Sequence, residues 1–105
     1  MFVAHPLLTI EAESQADAYV IRIIGELDLE GCPELESALQ EAEGAQMHRI
    51  IVDLEGLTFI DSVGLGTILR ASRRSASAGN RLQITRGRGQ PAEIFRLTGL
   101  DRTLL

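Results

Sequence analysis

The sequence contains no lysine, no tryptophan and one cysteine, and only four of its 105 residues are aromatic. The lone Cys32 excludes an internal disulfide and leaves no second thiol for redox chemistry. No apolar run approaches the roughly 18 residues of a membrane-spanning helix, and the first residues carry neither a basic flank nor a long apolar stretch. We therefore expect a cytoplasmic protein without membrane association, whose core is built from Leu, Ile, Val and Ala.

What the chain does contain is enough apolar sequence for a core and an uneven distribution of charge. Apolar residues make up 45% of the chain, and its length fits one domain over residues 1–105. Residues 1–61 hold thirteen acids and two arginines, whereas residues 62–105 hold eight arginines and two acids. The acidic half offers a surface to a basic partner, although simple solvation of charged faces explains the same asymmetry. The arginines do not alternate with aromatic residues, so nucleic-acid binding is not expected.

The hydrophobic periodicity predicts an α/β domain with a mixed sheet of four to five strands and three to four helices. Predicted strands cover residues 7–12, 18–24, 48–54 and 81–85, and predicted helices cover residues 33–44, 62–78 and 91–97. The first two strands form a hairpin across a five-residue turn, and the strand-helix-strand unit that follows makes the second and third strands parallel. In the second helix the predicted inward residues are Leu65, Ile68 and Leu69, with Ser72 and Ala76 as further candidates; Arg70, Arg73 and Arg74 are placed toward solvent.

The stretch from Asp61 to Gly66 follows an apolar strand and opens the second predicted helix. Ser62 can cap that helix with its hydroxyl, and the same position exposes the hydroxyl at the positive end of the helix dipole. Because parallel strands end at the same edge of a sheet, five acids are expected around Ser62: Glu26, Asp28, Glu30, Glu55 and Asp61. A phosphate added among carboxylates is repelled, so we interpret Ser62 as a phosphorylation switch that turns binding off. A plain N-cap serine is the alternative.

An enzyme is not expected from this sequence. A catalytic serine needs a base within hydrogen-bond reach, but His5 lies in the N-terminal segment and His48 at the far end of a strand. There is also no GxSxG motif around Ser62. The two histidines lack ligand spacing and the acids lack a DxDxDG loop, so no metal site and no cofactor are predicted.

Five segments together resemble the STAS-domain anti-sigma-factor antagonists of bacteria. They are Gly25-Glu26-Leu27-Asp28 with Pro33-Glu34-Leu35, Val52-Asp53-Leu54, Phe59-Ile60-Asp61-Ser62-Val63-Gly64-Leu65 and Phe95-Arg96-Leu97-Thr98-Gly99-Leu100. The resemblance implies a single STAS-like domain that binds an anti-sigma factor which is also a serine kinase, and thereby frees the sigma factor. It further implies that the kinase phosphorylates Ser62 to break the complex and that a metal-dependent serine phosphatase restores it. A monomer or weak dimer is expected.

The resemblance also predicts which residues form the partner-binding surface: Glu26, Asp28, Asp61, Ser62, Val63, Gly64 and Leu65. Relatives often carry Ser, Thr or Ala at the position of Val63. Because valine has no hydroxyl, this chain lacks a possible second phosphate acceptor at that position. In relatives the chain commonly continues beyond the position of Leu100 with another strand and helix. The presence of a fifth, C-terminal strand in this chain is therefore not predicted either way. The alternative function is a STAS interaction or ligand-sensing module of a transporter or of another signalling assembly.

Overall fold

The computed structural model describes residues 7–79, 81–85 and 87–98, which form a mixed sheet of five strands with three α-helices. The strands are β1 (Leu8–Gln15), β2 (Ala18–Leu27), β3 (Arg49–Asp53), β4 (Leu57–Ile60) and β5 (Leu82–Ile84). The helices are α1 (Cys32–Gly44), α2 (Ser62–Ser77) and α3 (Gly89–Thr98), and a short 3₁₀ turn at Leu29–Gly31 precedes α1. The predicted α/β class and mixed sheet are confirmed. The possible C-terminal strand falls in residues 99–105, outside the described residues.

Strands β1 and β2 form the predicted antiparallel hairpin, but both strands are longer than the sequence indicated. Pairing runs from Leu8 with Gly25 to Gln15 with Ala18, so the turn is two residues rather than five. Gly25 has a φ of +99°, and a Cβ at this position would lie 2.1 Å from the carbonyl oxygen of Leu7. Only glycine allows strands β1 and β2 to approach each other this closely at the open end of the hairpin.

Helix α1 and strand β3 confirm the predicted strand-helix-strand unit. Pro33 lies in the first turn of α1, where its missing N–H costs nothing, and the predicted face is buried at Leu35, Leu39 and Ala42. Strand β3 pairs with β2 in parallel, from Ala18 with Arg49 to Arg22 with Asp53. The core therefore lies between the helices and one face of the sheet.

Strand β4 was not predicted from the sequence, and it determines where the functional loops meet. Strand β3 covers only the first half of β2, and β4 pairs with the second half, in parallel, after a register shift between Gly25 and Glu26. Its burial pattern has Leu57 and Ile60 inside and two exposed residues between them. That spacing does not alternate, so no strand was predicted.

Helix α2 begins at Ser62 as predicted, but it packs through a different face. The buried residues are Gly64, Thr67, Ile68 and Ala71, whereas Leu65 and Leu69 are only partly buried and Ala76 is exposed. Gly64 explains the difference, because a Cβ there would lie 2.9 Å from Leu27 Cγ and 3.0 Å from the Leu27 carbonyl oxygen. The missing side chain of Gly64 lets the start of α2 pack closely against Leu27, and this contact turns the Gly64 face of the helix toward the sheet.

Arg74 was placed toward solvent from the sequence, and the structure corrects this. Its guanidinium lies 3.0 Å from carboxylates of both Glu36 and Glu43, so it joins α2 to α1. Burial of two α-helical faces against the same sheet brings these helices side by side, which spacing along one helix cannot reveal.

Strand β5 and helix α3 occur where they were predicted. In α3, Phe95 is buried and Ile94 packs against the core, whereas Leu97 is exposed. Gly99 and Leu100, which the resemblance included, lie outside the described residues. No helix in the described ranges is long and apolar enough to cross a membrane.

Candidate functional site

The candidate site lies where β2 and β4 end side by side. Leu27 pairs with Ile60 as the last residue of each strand, so Asp28 and Asp61 leave the sheet at the same edge. The backbone N–H of Asp61 donates to the Leu27 carbonyl at 3.1 Å and continues the pairing by one residue. The predicted meeting of these two acids at one edge is therefore present, although β4 rather than β3 supplies the second strand.

Asp61, not Ser62, caps helix α2. One carboxylate oxygen of Asp61 accepts the backbone N–H of Gly64 at 2.8 Å, and the other accepts the N–H of Leu29 at 3.2 Å. A carboxylate at this position satisfies an otherwise unpaired helical N–H and interacts favourably with the helix dipole. Ser62 is the first helical residue. The capping role assigned to Ser62 from the sequence is wrong by one position, because the sequence offers two good caps in succession and only β4 decides between them.

Asp28 performs the same task for the 3₁₀ turn. Its carboxylate accepts the backbone N–H of Glu30 at 3.1 Å, and its carbonyl oxygen accepts hydrogen bonds from the Gly31 N–H and the Cys32 thiol. The turn is thus held at its start by Asp28 and from the side by Asp61. Both acids fix the backbone of the site in addition to giving it negative charge.

Ser62 is exposed, and its hydroxyl makes no hydrogen bond to any of the described residues. Apolar side chains lie near it in the fold: Val63 is 40% exposed, and Leu29, whose N–H bonds to Asp61, is 64% exposed. These two side chains place apolar surface beside the exposed hydroxyl.

The remaining predicted site residues occupy different environments. Glu26 is half-buried near the end of β2 and pairs with Phe59, and Glu30 is exposed in the 3₁₀ turn. Leu65 is half-buried, and Gly64 is buried against the sheet, where its role is packing.

Glu55 does not join the acids around Ser62, which corrects the sequence analysis. It lies before β4, so the whole of that strand separates it from Asp61. Its carboxylate instead forms an ion pair with Arg88 at 3.1 Å. The prediction assumed that the loop after β3 reaches the site, whereas that loop leads into β4.

Gln90 supports the site from its outer side and was not identified from the sequence. Its side-chain amide accepts the Ile60 N–H and donates to the Ile60 carbonyl, each at 2.9 Å. These two bonds imitate a strand partner on the free edge of β4 and hold the residue just before Asp61. Exposed Phe59 and Leu29 were also not identified, since exposure of an apolar residue cannot be deduced from its own position in the sequence.

No residue of the first two turns of α2 is itself basic. The first arginine of that helix is Arg70, whose backbone lies about 12 Å from Ser62 along the helix axis and whose guanidinium folds back beside Gly66 and Thr67. Within the described ranges there is also no group of three His, Cys, Asp or Glu residues arranged to hold a metal ion. The charge near the Ser62 hydroxyl therefore comes from Asp28, Glu30 and Asp61, from the helix dipole and, one turn along α2, from the Arg70 guanidinium.

Comparison with known proteins agrees with the fold and with the motif. A family model described as "Mlab, STAS domain" matches residues 10–105. The anti-sigma-B factor antagonist of Staphylococcus aureus is 31% identical over 93 residues, which cover 89% of this chain and 86% of that protein. The crystal structure of an anti-sigma factor antagonist from Mycobacterium paratuberculosis is similar with a TM-score of 0.81 at 25% identity, covering 97% of this chain and 87% of that one. The anti-sigma factor antagonist SpoIIAA in its unphosphorylated form shares the fold, with a TM-score of 0.79 at 24% identity over 92% of this chain and 86% of its own. The chain thus belongs to the STAS-domain family of bacterial anti-sigma-factor antagonists.

Proposed function

We propose that this protein is an anti-sigma-factor antagonist that binds its anti-sigma factor through the surface around Ser62 and is released when Ser62 is phosphorylated. The anti-sigma factor is then also the serine kinase, and a metal-dependent serine phosphatase returns the antagonist to its binding form. The binding surface comprises the side chains of Glu26, Asp28, Asp61, Ser62, Val63 and Leu65, and Gly64 positions it by packing. The relatives that carry the name antagonist are regulatory binding proteins, which supports a binding role rather than catalysis.

One observation carries the proposal: the Ser62 hydroxyl is exposed at the start of α2 and no described residue uses it structurally, because Asp61 caps the helix instead. A phosphate can therefore be added without breaking a hydrogen bond of the fold. Within the free protein the modification is tolerable. Two unit charges about 7 Å apart repel by about 0.6 kcal/mol in water, so a phosphate of charge about −1.5 to −2 near two carboxylates costs about 2 kcal/mol. The helix dipole offsets about 0.3–1 kcal/mol of this.

In a complex the balance changes because the partner removes water from the site. A phosphate of charge about −1.5 to −2 then loses its hydration beside Asp28 and Asp61, while the nearest arginine of α2, Arg70, donates to the Thr67 hydroxyl. Phosphorylation is therefore expected to end binding while the fold persists.

Phosphorylation in vitro tests this proposal. The protein is incubated with ATP and, in turn, with each serine-kinase-type anti-sigma factor encoded in the same genome, and any added phosphate is located by mass spectrometry. Modification of the wild-type protein and of Ser77→Ala, an exposed serine variant in the last turn of the same helix, but not of Ser62→Ala, is expected. Ser62→Glu is expected to lose the complex with unchanged far-UV circular dichroism. Equal affinity of wild type and of the phosphorylated protein for the anti-sigma factor would refute the switch.

A second candidate is the alternative left open by the sequence, and the description of the matching family model, which names Mlab and a STAS domain but no antagonist, is compatible with it. The chain would then be an interaction module of a transporter or of another signalling assembly, and Ser62 would mark the contact surface without being modified. Stable binding to such an assembly, together with absence of phosphate on Ser62 after every kinase has been tried, would favour this candidate.

A further inference from the structure

Helix α2 carries two arginines that have no carboxylate partner among the described residues. Six other described arginines are bound to carboxylates or backbone carbonyls: Arg22, Arg49, Arg74, Arg81, Arg88 and Arg96. Arg70 donates only to the Thr67 hydroxyl of its own helix, at 3.2 Å, and Arg73 donates to no described residue. In a chain with fifteen acids and ten arginines, two arginines left without a counter-charge call for a physical reason.

These two arginines share a stripe of α2 with Ser62. At 100° per residue, positions 62, 66, 70 and 73 lie within about 80° around the helix, and Arg70 and Arg73 are about 12 and 16 Å from Ser62 along the axis. Both arginines are exposed, and the Arg70 guanidinium folds back over Gly66, with one nitrogen 3.4 Å from where a Cβ of that residue would lie. The stripe therefore carries two cations without carboxylate partners among the described residues, and one of them reaches to within about one helical turn of the candidate phosphorylation site.

Arg70 also lines an open groove of about 380 Å³ between the start of α1 and α2. The other lining residues are Leu29, Cys32, Pro33, Glu36 and Thr67. Glu36 pairs with Arg74 at 3.0 Å, so the acid that lines the groove makes no ion pair with Arg70. Leu29 connects the groove to the site, because its N–H bonds to Asp61.

We propose that the Arg70–Arg73 stripe of α2 is a docking surface for an acidic segment of the protein that binds around Ser62. That this protein is the anti-sigma factor rests on the function proposed above, whereas the acidic character of the segment follows from the charges of the stripe. Asp28 and Glu30 lie at the carboxyl edge of the sheet and the two arginines lie farther along α2, so the surface has opposite signs on its two sides. A partner must match both signs, which fixes its orientation over Ser62 and raises the rate of encounter.

Association kinetics with the anti-sigma factor that binds the wild-type protein test the proposal. Arg70→Gln/Arg73→Gln is compared with the control Arg49→Gln/Arg96→Gln, which makes the same change in net charge on the open sheet face and on α3. For the α2 variant, the association rate constant at low ionic strength is expected to fall about tenfold and to depend less steeply on salt, whereas the control retains wild-type values. Equal rates and equal salt dependence for the two variants would overturn the proposal.

Ser62→Glu separates this inference from the proposed function. If Ser62→Glu binds as tightly as wild type while Arg70→Gln/Arg73→Gln associates slowly, the switch fails and the docking surface stands; the reverse result overturns the docking surface alone.

A defined probe covers the case in which no anti-sigma factor binds. In ¹H–¹⁵N spectra of the wild-type protein, added hexaglutamate is expected to shift the amide signals of Gly66, Arg70 and Arg73, whereas added hexalysine is expected to leave these signals in place. In the Arg70→Gln/Arg73→Gln variant, hexaglutamate is expected to cause no such shifts. Absence of shifts along α2 with hexaglutamate would count against the proposal whatever the anti-sigma factors do.

Discussion

Replacing Asp61 by Ala is expected to destabilise the protein strongly, whereas replacing the adjacent Ser62 by Ala is expected to have little effect. Asp61 bonds to the N–H groups of Gly64 and Leu29 and so joins the start of α2 to the 3₁₀ turn. Loss of an N-cap carboxylate costs about 0.5–2 kcal/mol, and loss of the second charge-assisted bond adds about 1 kcal/mol because the Leu29 amide can reach water. We therefore expect Asp61→Ala to lower the free energy of unfolding by about 1.5–3 kcal/mol.

Chemical and thermal unfolding followed by circular dichroism measure this difference. A chain of this size has an unfolding entropy of roughly 0.22 kcal/mol/K, so Asp61→Ala should lower Tm by about 7–14 °C. Ser62→Ala, at a residue whose hydroxyl bonds to no described residue, should change the free energy of unfolding by less than about 0.5 kcal/mol. Asp61→Asn keeps an oxygen acceptor and should fall between the two. If Ser62→Ala proved as destabilising as Asp61→Ala, the assignment of the cap to Asp61 would be wrong.

Two further predictions concern the glycines of α2 and the acid response of the hairpin. Gly64→Ala should destabilise by about 1–3 kcal/mol in urea titrations, because its Cβ would press on Leu27, whereas Gly66→Ala should stabilise by up to about 1 kcal/mol, since the nearest atom is the mobile end of an arginine at 3.4 Å. Equal signs for the two would contradict the packing described here. A hydrogen bond from Arg22 lowers the pKa of Glu13, so this pair stabilises the fold above the unfolded-state pKa of Glu13, and the contribution is lost as pH falls through its lower folded pKa. Arg22→Gln should raise the Glu13 pKa toward its ordinary value in an NMR titration; an unchanged pKa would show that another group lowers it.

Local patterns were sufficient for most of this fold. The β-branched run in β2, the spaced apolar residues of α1 and the turn signals around them predicted a hairpin followed by a parallel strand, and all of these are present. Strand β4 was missed because its existence depends on β2 rather than on its own four residues. Half of β2 extends beyond β3 with unpaired backbone groups, and residues 57–60 satisfy them.

The errors at the site follow from that one missing strand. Without β4, Glu55 was expected at the carboxyl edge of the sheet and Ser62 was expected to cap α2. The four residues of β4 carry the chain along the second half of β2, so that Asp61 lies at the end of β2. Glu55 lies before β4 and pairs with Arg88. The motif itself identified the correct segment, but the division of roles between Asp61 and Ser62 depends on a pairing that links residues more than thirty positions apart.

That division of roles is what makes a switch at this position physically reasonable. A serine that capped the helix would have its capping oxygen converted into a phosphate ester, and the modification would alter stability and binding together. Here the Asp61 carboxylate accepts the Gly64 N–H at 2.8 Å and the N–H of Leu29 in the 3₁₀ turn at 3.2 Å. The hydroxyl of Ser62 forms no hydrogen bond with any of the described residues. Modification then changes the charge that a partner meets and leaves the backbone under it in place. If so, Ser62→Glu should keep the thermal stability of the wild type within about 0.5 kcal/mol while abolishing partner binding. A large loss of stability in Ser62→Glu would instead indicate that the switch acts by melting the start of α2.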